Sequence, residues 1–593
     1  MIRDTVSLGK TSGFVTALSL GIVLSSTANA QALPGSVTPS RDQVETKIPD
    51  STQPKAEVSV EASNAFAQDD CSLSRYPDRV NLSEIQFEGI GGATLAPVIR
   101  TAVNGIQASE TGDQSIDVVC RIRDRVNAEL ANTGYIARVQ VPPQEITGGT
   151  LRLVIVTGRV VEVRVRGDVG KFGPALDSRL EQIRAMDPFN KNEAVRILLN
   201  ANDIPGMRVK LSLRNAGGTP GDLIADVDAN AQSVLVLANI QNFGSKQLGR
   251  EVATVRTEIY GLTGMSDRTY VSLSNSLQWA EIHIGQIGHD FALNDNGLRM
   301  AAKLSLAQSE PDILNLDLQS RSLIAGLELS APLVKTIGTT ARASLGFEVM
   351  NQATRVLAGG TKAPFTHDQL RVLYTRLDGV MRKLDVNGNQ VFALDGSLEL
   401  RQGLGVLGAT KVGTIENNFA PSRFEGDPKA TVVRGEINST LTLGRFFAID
   451  AKVLGQWTNK PLLNLEEFSL GNYTIGRGYD PGANGGDRAL AARIEPRINF
   501  GRMGPIDVSV AGFYDIVGLW NLDSSAGTEA KRTLRSAGGG MRMILRDADN
   551  SARASLDVMY AKPLDKALAN DLVKPTGRLL VSFTTKLIPW GSR

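Results

Sequence analysis

Beyond residue 30 the chain has no apolar run near the roughly 18 residues that carry a helix across a bilayer, so helical membrane spans are excluded there. Cysteine and histidine are scarce. There are two cysteines, Cys71 and Cys120, and three histidines, His283, His289 and His367, with no histidine close to either cysteine. A zinc site built on Cys and His spacing is therefore excluded. Charge of one sign is also missing: 64 basic against 62 acidic residues leave +2, with no basic stripe and no aromatic interleaving. That removes the electrostatic case for nucleic acid. No Gly-x-x-x-x-Gly-Lys-Ser/Thr loop, Gly-x-Ser-x-Gly elbow or His-Glu-x-x-His pair occurs, so the familiar nucleotide, serine-hydrolase and metalloprotease chemistries lack their residues. His283 and His289 fall in strand-like segments without a nucleophile or orienting acid nearby, and read as wall or interface residues. No enzyme activity, cofactor or metal is expected.

What is present begins with an export signal. Arg3 and Lys10 precede an apolar stretch, Phe14 to Leu24, and Ala28-Asn29-Ala30 supplies a small-x-small cleavage site. This predicts a signal peptide over residues 1–30, removed before Gln31. Residues 31–75 are rich in Pro, Ser, Gln, Asp and Glu and are expected to be a flexible lead-in, with a possible short helix over Ser40 to Ile48 capped by Ser40. In an oxidising compartment an even cysteine pair bracketing a small domain suggests a disulfide, Cys71–Cys120; two buried free thiols are the other reading.

Two modules follow. Over 76–158 the patterning predicts a strand (Val80 to Phe87), a short helix (Leu95 to Val103), and a longer helix (Asp117 to Tyr135) with Val118, Ile122, Val126 and Leu130 on one face. Strands Ile136 to Val141 and Leu151 to Val156 complete it. Over 159–230 the same β-α-α-β-β order recurs: Val160 to Arg166, Pro174 to Arg184, Lys191 to Ala201, Met207 to Arg214, and Asp222 to Ala229. A recurring unit implies tandem α+β modules.

From 231 to 593 helical periodicity gives way to alternation. Ala343, Leu345, Phe347 and Val349 oppose Arg342, Ser344, Gly346 and Glu348. Leu398, Leu400, Leu404 and Val406 oppose Ser397, Glu399, Arg401, Gly403 and Gly405; Ile449, Ala451, Val453 and Trp457 oppose Asp450, Lys452 and Gln456. The last strand sets Leu579, Val581, Phe583 and Leu587 on one face. Long strands with charge on the opposite face suit a transmembrane barrel, apolar outside and polar within. At roughly 20–25 residues per strand and connection, the region accommodates about sixteen antiparallel strands. Export signal, modules and barrel together predict a Gram-negative outer-membrane protein with its modules in the periplasm. One stretch stands apart: TIGRGYDPGANGGDRA, Thr474 to Ala489, has five glycines and a proline, too many for strand or helix, with Arg477 near its middle.

Several segments carry a resemblance. GYIARVQVPPQEITGGTLRLVIVTGRVVEVRV and VRILLNANDIPGMRVKLSL resemble the first and second polypeptide-transport-associated (POTRA) domains of TpsB transporters, the haemolysin secretion/activation family of two-partner secretion. NFGSKQLGR resembles that family's Asn-x-Gly-Ser opening of the first barrel strand, and the Cys71/Cys120 positions match a cysteine pair found in part of the family. Gly476-Arg477-Gly478-Tyr479 fits three of the four positions of the Val-Arg-Gly-Tyr/Phe tetrad on the superfamily's sixth loop, with Gly476 in place of Val. Phe513-Tyr514-Asp515 fits its Phe-x-Asp strand element. The resemblance implies that Arg477 pairs with Asp515 to lock the loop, near 470–489, against the inner wall. It implies a pore, surrounded by outer-membrane lipid, whose POTRA domains bind a large secreted exoprotein with an N-terminal secretion domain; one barrel per chain requires no oligomer, so a monomer is expected. The family's barrels end on an aromatic residue, whereas here Trp590 stands three residues before the end. The alternative function is an assembly factor inserting other barrels, though such factors usually carry more than two modules; a passive porin needs no modules.

Overall fold

The computed structural model describes residues 38–46, 48, 60–64, 66, 71–106, 112–279, 281–311, 317–358, 361–385, 389–471, 475–482, 484–523, 529–547, 551–567 and 575–587. The expected signal peptide and Trp590 lie outside them.

In the first module the helices are Pro97–Asn104 and Val118–Asn132, and Val118, Ile122, Val126 and Leu130 are all buried, as their spacing requires. The expected single strand from Val80 to Phe87 is two. Arg79–Leu82 pairs antiparallel with Gly112–Ser115, while Glu84–Gly89 runs parallel to Thr150–Thr157. The break is at Ser83, whose N–H and hydroxyl donate to the carbonyls of Gly149 (2.8 Å) and Gly148 (3.0 Å) and turn the chain from one sheet to the other. Cys71 and Cys120 are disulfide-bonded, Cα–Cα 5.9 Å, tying the segment before the first strand to the longer helix.

The second module packs Gly173–Arg184 and Lys191–Asn202 on a sheet of Arg159–Arg166, Asp222–Ala231 and Met207–Asn215. Asn190 caps the second helix by accepting from the N–H groups of Asn192 and Glu193. A fourth strand comes from the lead-in: Val60–Asn64 runs parallel along Met207–Asn215 and occupies that sheet edge. The lead-in also supplies a short helix, Arg41–Val44, with the Ser40 N–H donating to the Gln43 side chain (2.9 Å). Two stretches of the expected flexible lead-in are thus docked on the rest of the chain.

Sixteen antiparallel strands close the barrel, the first (Val234–Gln241) pairing with the last (Arg578–Leu587). At that seam Asn239 donates to the hydroxyls of Ser582 (3.0 Å) and Thr584 (2.8 Å). The NFGSKQLGR stretch follows the first strand rather than opening it, and Asn242 there accepts from Val581 N (2.7 Å) and donates to Leu579 O (2.8 Å), extending the seam beyond the strand end. Leu404 and Val406, read as strand positions, lie past the end of strand Gln390–Gly403, in a loop.

Hydrophobicity is inverted relative to a soluble sandwich. Leu273 (59% exposed), Leu398, Ile437, Leu490 and Leu579 face outward, while Glu348, Arg401, Asp515, Ser272 and Ser274 are buried within. That is the arrangement lipid demands. Strands Thr339–Ala358 and Thr361–Leu384 have 20 and 24 residues, about twice what a bilayer crossing needs. Their far ends stand beyond the membrane. There the neighbouring strand stops at Gly403, and the loop after it covers the open edge, with His367 N donating to Ala420 O (2.8 Å) and Thr410 N to Gln369 O (3.0 Å).

Candidate functional site in the barrel lumen

The glycine-rich stretch lies on the loop between the eleventh strand (Phe447–Thr458) and the twelfth (Arg488–Met503), the sixth loop at the end opposite the modules. A two-residue pairing, Phe468–Ser469 with Gly485–Gly486, stiffens its stem. At the tip Gly476 has φ +67°, a left-handed conformation that a valine in that position would strain. Gly478 is pressed on the wall: a Cβ there would lie 2.7 Å from Pro563 N and 2.9 Å from the Ser536 Cβ.

Between these two glycines Arg477 is buried on the thirteenth strand (Ile506–Trp520). Its Nε and Nη2 donate to the two carboxylate oxygens of Asp515 (3.3 and 3.2 Å), and its backbone N–H donates to the same carboxylate (3.1 Å). Nη1 donates to Glu495 Oε2 (2.8 Å), and the guanidinium lies 3.5 Å from the centre of the Phe513 ring. A planar fork can satisfy two carboxylates and a ring face together, which a lysine cannot. Tyr479 is buried too. Its hydroxyl donates to Arg535 O (2.9 Å) and accepts from Asp565 N (3.2 Å), and burial pushes its phenol pKa up.

Three further ionic anchors hold this loop, none of them visible in the tetrad. Asp480 binds Arg250 (3.1 Å) and the Lys246 N–H (2.9 Å) of the first loop. Arg423 of the fifth loop meets Glu467 (2.5 Å), Asp487 (2.6 Å) and Asp523 (2.9 Å) of the seventh loop. Glu466 receives Arg401 (2.6 Å) and Arg434 (2.9 Å) from the wall. Burial would raise the Glu466 pKa, but the guanidiniums of Arg401, Arg434 and Arg41 outweigh it and hold the carboxyl below its usual range.

The last of those partners belongs to the lead-in helix, which sits inside the barrel. Arg41 donates from Nη2 to both oxygens of Glu348 (2.8 and 2.9 Å) and from Nε to Glu45 (2.9 Å), and lies 4.0 Å from Glu466. Glu348 is shared with Arg401 (2.8 Å) and Lys303 (2.8 Å), and Lys303 also binds Glu45 (2.6 Å). Burial opposes the Glu45 charge, yet Arg41 and Lys303 hold its pKa at about 2. Val44 packs in an apolar cluster with Ile284, Ile324, Met350 and the loop residues Leu463 and Leu465. Helix and loop therefore share one charge network and one apolar contact. Alternation along the strands marks Glu348 and Arg401 as lumen-facing, but partners some 300 positions away in the chain carry no local signal.

The chemistry of this site is positional. Paired charges and pressed glycines fix two segments, the lead-in helix and the sixth loop, inside the barrel. Residues 374–543 match the family model described as haemolysin secretion/activation protein ShlB/FhaC/HecB, and residues 80–158 match the ShlB-type POTRA domain. Over these residues the chain is similar to the ShlB/FhaC/HecB family. Its barrel lies in the outer membrane and its modules in the periplasm, and like the family it is a transporter of the two-partner secretion kind. Among its relatives is the heme/hemopexin transporter protein HuxB of Haemophilus influenzae, 23% identical over 93% of this chain and 95% of the relative. In fold it is similar to CdiB from Escherichia coli, with a TM-score of 0.63 at 15% identity over 88% of this chain and 94% of that one. CdiB from Acinetobacter baumannii gives 0.60 at 16% identity, over 89% and 94%.

Proposed function

We propose that this protein is a gated export pore for one large secreted partner, captured in the periplasm by its POTRA modules, and that it performs no catalysis. The observation that carries the reading is the shared network of Arg41, Glu348, Arg401 and Glu466, which joins the lead-in helix to the sixth loop across the lumen. A pore for a solute needs no such removable obstruction; a pore for a polypeptide must close when no client is present.

The partner enters as an extended segment adding a strand to a module, where main-chain hydrogen bonds give affinity with little sequence demand. One edge of the second sheet already carries the chain's own Val60–Asn64, so the client uses another edge or displaces that strand. Arg477 and Asp515 act as the lock of the sixth loop, and the Cys71–Cys120 bond stiffens the first module during capture. With no nucleotide at the outer membrane, folding of the client outside supplies direction.

The test is Arg477→Ala in a strain secreting the partner. Export is expected to fall strongly while the barrel keeps its heat-dependent shift in gel mobility. Undiminished export would remove the lock from the mechanism.

A further inference from the structure

Strand register places a polar row directly above an apolar trough on the outside of the barrel, at the end away from the modules. Asn275, His283, Gln308 and Arg321 are successive partners across the third to sixth strands. Two positions further toward the periplasm the same outward faces carry Leu273, Gly285, Leu306 and Leu323, again successive partners. These eight residues line one open groove of about 530 Å³. Gly285 makes its floor, because it leaves a gap between Leu273 and Leu306; a Cβ added there would touch Leu273 Cδ2 at 3.9 Å.

The polar row contains an unused cation. Arg321 is exposed and has no ion pair or hydrogen bond among the described residues, although basic side chains in this barrel are otherwise mostly paired. The His283 ring is fixed by Nδ1 on Asn275 Oδ1 (2.9 Å), which leaves Nε2 for a ligand. Glu310, the carboxylate beside the row, is already held by Gln319 (2.6 Å) and Gln308 (3.3 Å), and Lys362 adds positive charge at Gln319 (3.0 Å). Trp279, 69% exposed on the adjoining loop, stands where interfacial aromatics mark the edge of the hydrocarbon.

We propose that this groove is a specific site for one phosphorylated glycolipid of the outer leaflet. An acyl chain lies in the trough over Gly285, a phosphate sits on Arg321 and His283, and the amides of the row bind sugar hydroxyls. Three features select this occupant. The site is on the lipid-facing wall, at the outer-leaflet end, and its polar row is cationic over an apolar floor. An arginine fork is suited to phosphate, and a charge-assisted contact at the edge of the bilayer is screened less than in bulk water. The seat lies on the same strands, in the opposite face, as Ile282, Ile284 and Ala307, against which Val44 of the plugging helix packs.

Native mass spectrometry of the detergent-extracted full chain, with bisphosphorylated lipid A as probe and phosphatidylglycerol as competitor, tests the proposal. Wild type is expected to retain one lipid A, and Arg321→Glu and Gly285→Leu to lower its occupancy about tenfold, the loss of roughly one charge-assisted contact or of the trough. Arg321→Gln, a milder change on the lipid face, is expected to fall between. The proposal is overturned if wild type retains none, if the variants retain as much as wild type with intact barrel mobility on gels, or if phosphatidylglycerol is held equally well.

Discussion

Replacing Arg41 with alanine tests how the lumen is kept closed. The side chain gives two bonds to Glu348, one to Glu45 and a longer contact to Glu466. Breaking a buried pair costs about 3–5 kcal/mol when it strands the partner charge. Here Glu348 keeps Arg401 and Lys303, each at 2.8 Å, so it is not stranded. The expected loss is then nearer that of the charge-assisted bonds themselves, about 2–3 kcal/mol. At about 1.4 kcal/mol per decade, the helix-out population rises roughly 30- to 140-fold. Single-channel recording in planar bilayers reads this directly as a larger fraction of time in the conducting state. An open fraction equal to that of wild type would show that the network does not hold the helix, and the linkage argued from it would fall.

Three further outcomes follow from particular contacts. Gly478→Ala puts a methyl 2.7 Å from Pro563 N; export should drop as it does for Arg477→Ala, with the barrel still folded on a heat-shift gel. Removing the disulfide with Cys71→Ser and Cys120→Ser should cost the first module about 4 kcal/mol in the chain-entropy account, seen as faster proteolysis of the modules in urea with the barrel unaffected. The hold of Glu45 on the lead-in helix should also be insensitive to pH near neutrality. Glu45 has a folded pKa of about 2 against an ordinary 4.5, so its contribution is fully present above the ordinary value and is lost as pH falls from about 4 toward 2. Protection of the lead-in helix from added protease should be flat from about pH 8 to 5 and fall only in acid; a loss between 8 and 6 would contradict this ion-pair account, whereas conductance also reports the sixth loop, where burial pushes Glu467 up to about 7.

Much of this architecture was legible in the sequence because it rests on short-range pattern. Val118, Ile122, Val126 and Leu130 declare a helix face, and Leu345 against Glu348 declares a wall with lipid on one side and a lumen on the other. The tetrad and Phe513–Asp515 were legible through resemblance, and the structure brings Arg477 onto both Asp515 and Phe513. What escaped depends on distant partners. Ser83 breaks a strand because of Gly148 and Gly149; Val60–Asn64 finds an edge about 150 residues on; Arg41 finds Glu348. Polar composition suggested that residues 31–75 stay free, since they cannot bury a core of their own. A polar lumen inverts that logic, because a charged helix is what such a lumen can bind.

The central claim is that the pore serves one exported partner, and a quantitative proteomic comparison of culture medium and outer membrane, with and without this gene, tests it most directly. The account predicts that one or a few very large proteins vanish from the medium while the other outer-membrane barrels keep their levels. A broad fall in unrelated barrels, with no single exported protein lost, would contradict it and make the chain an assembly factor.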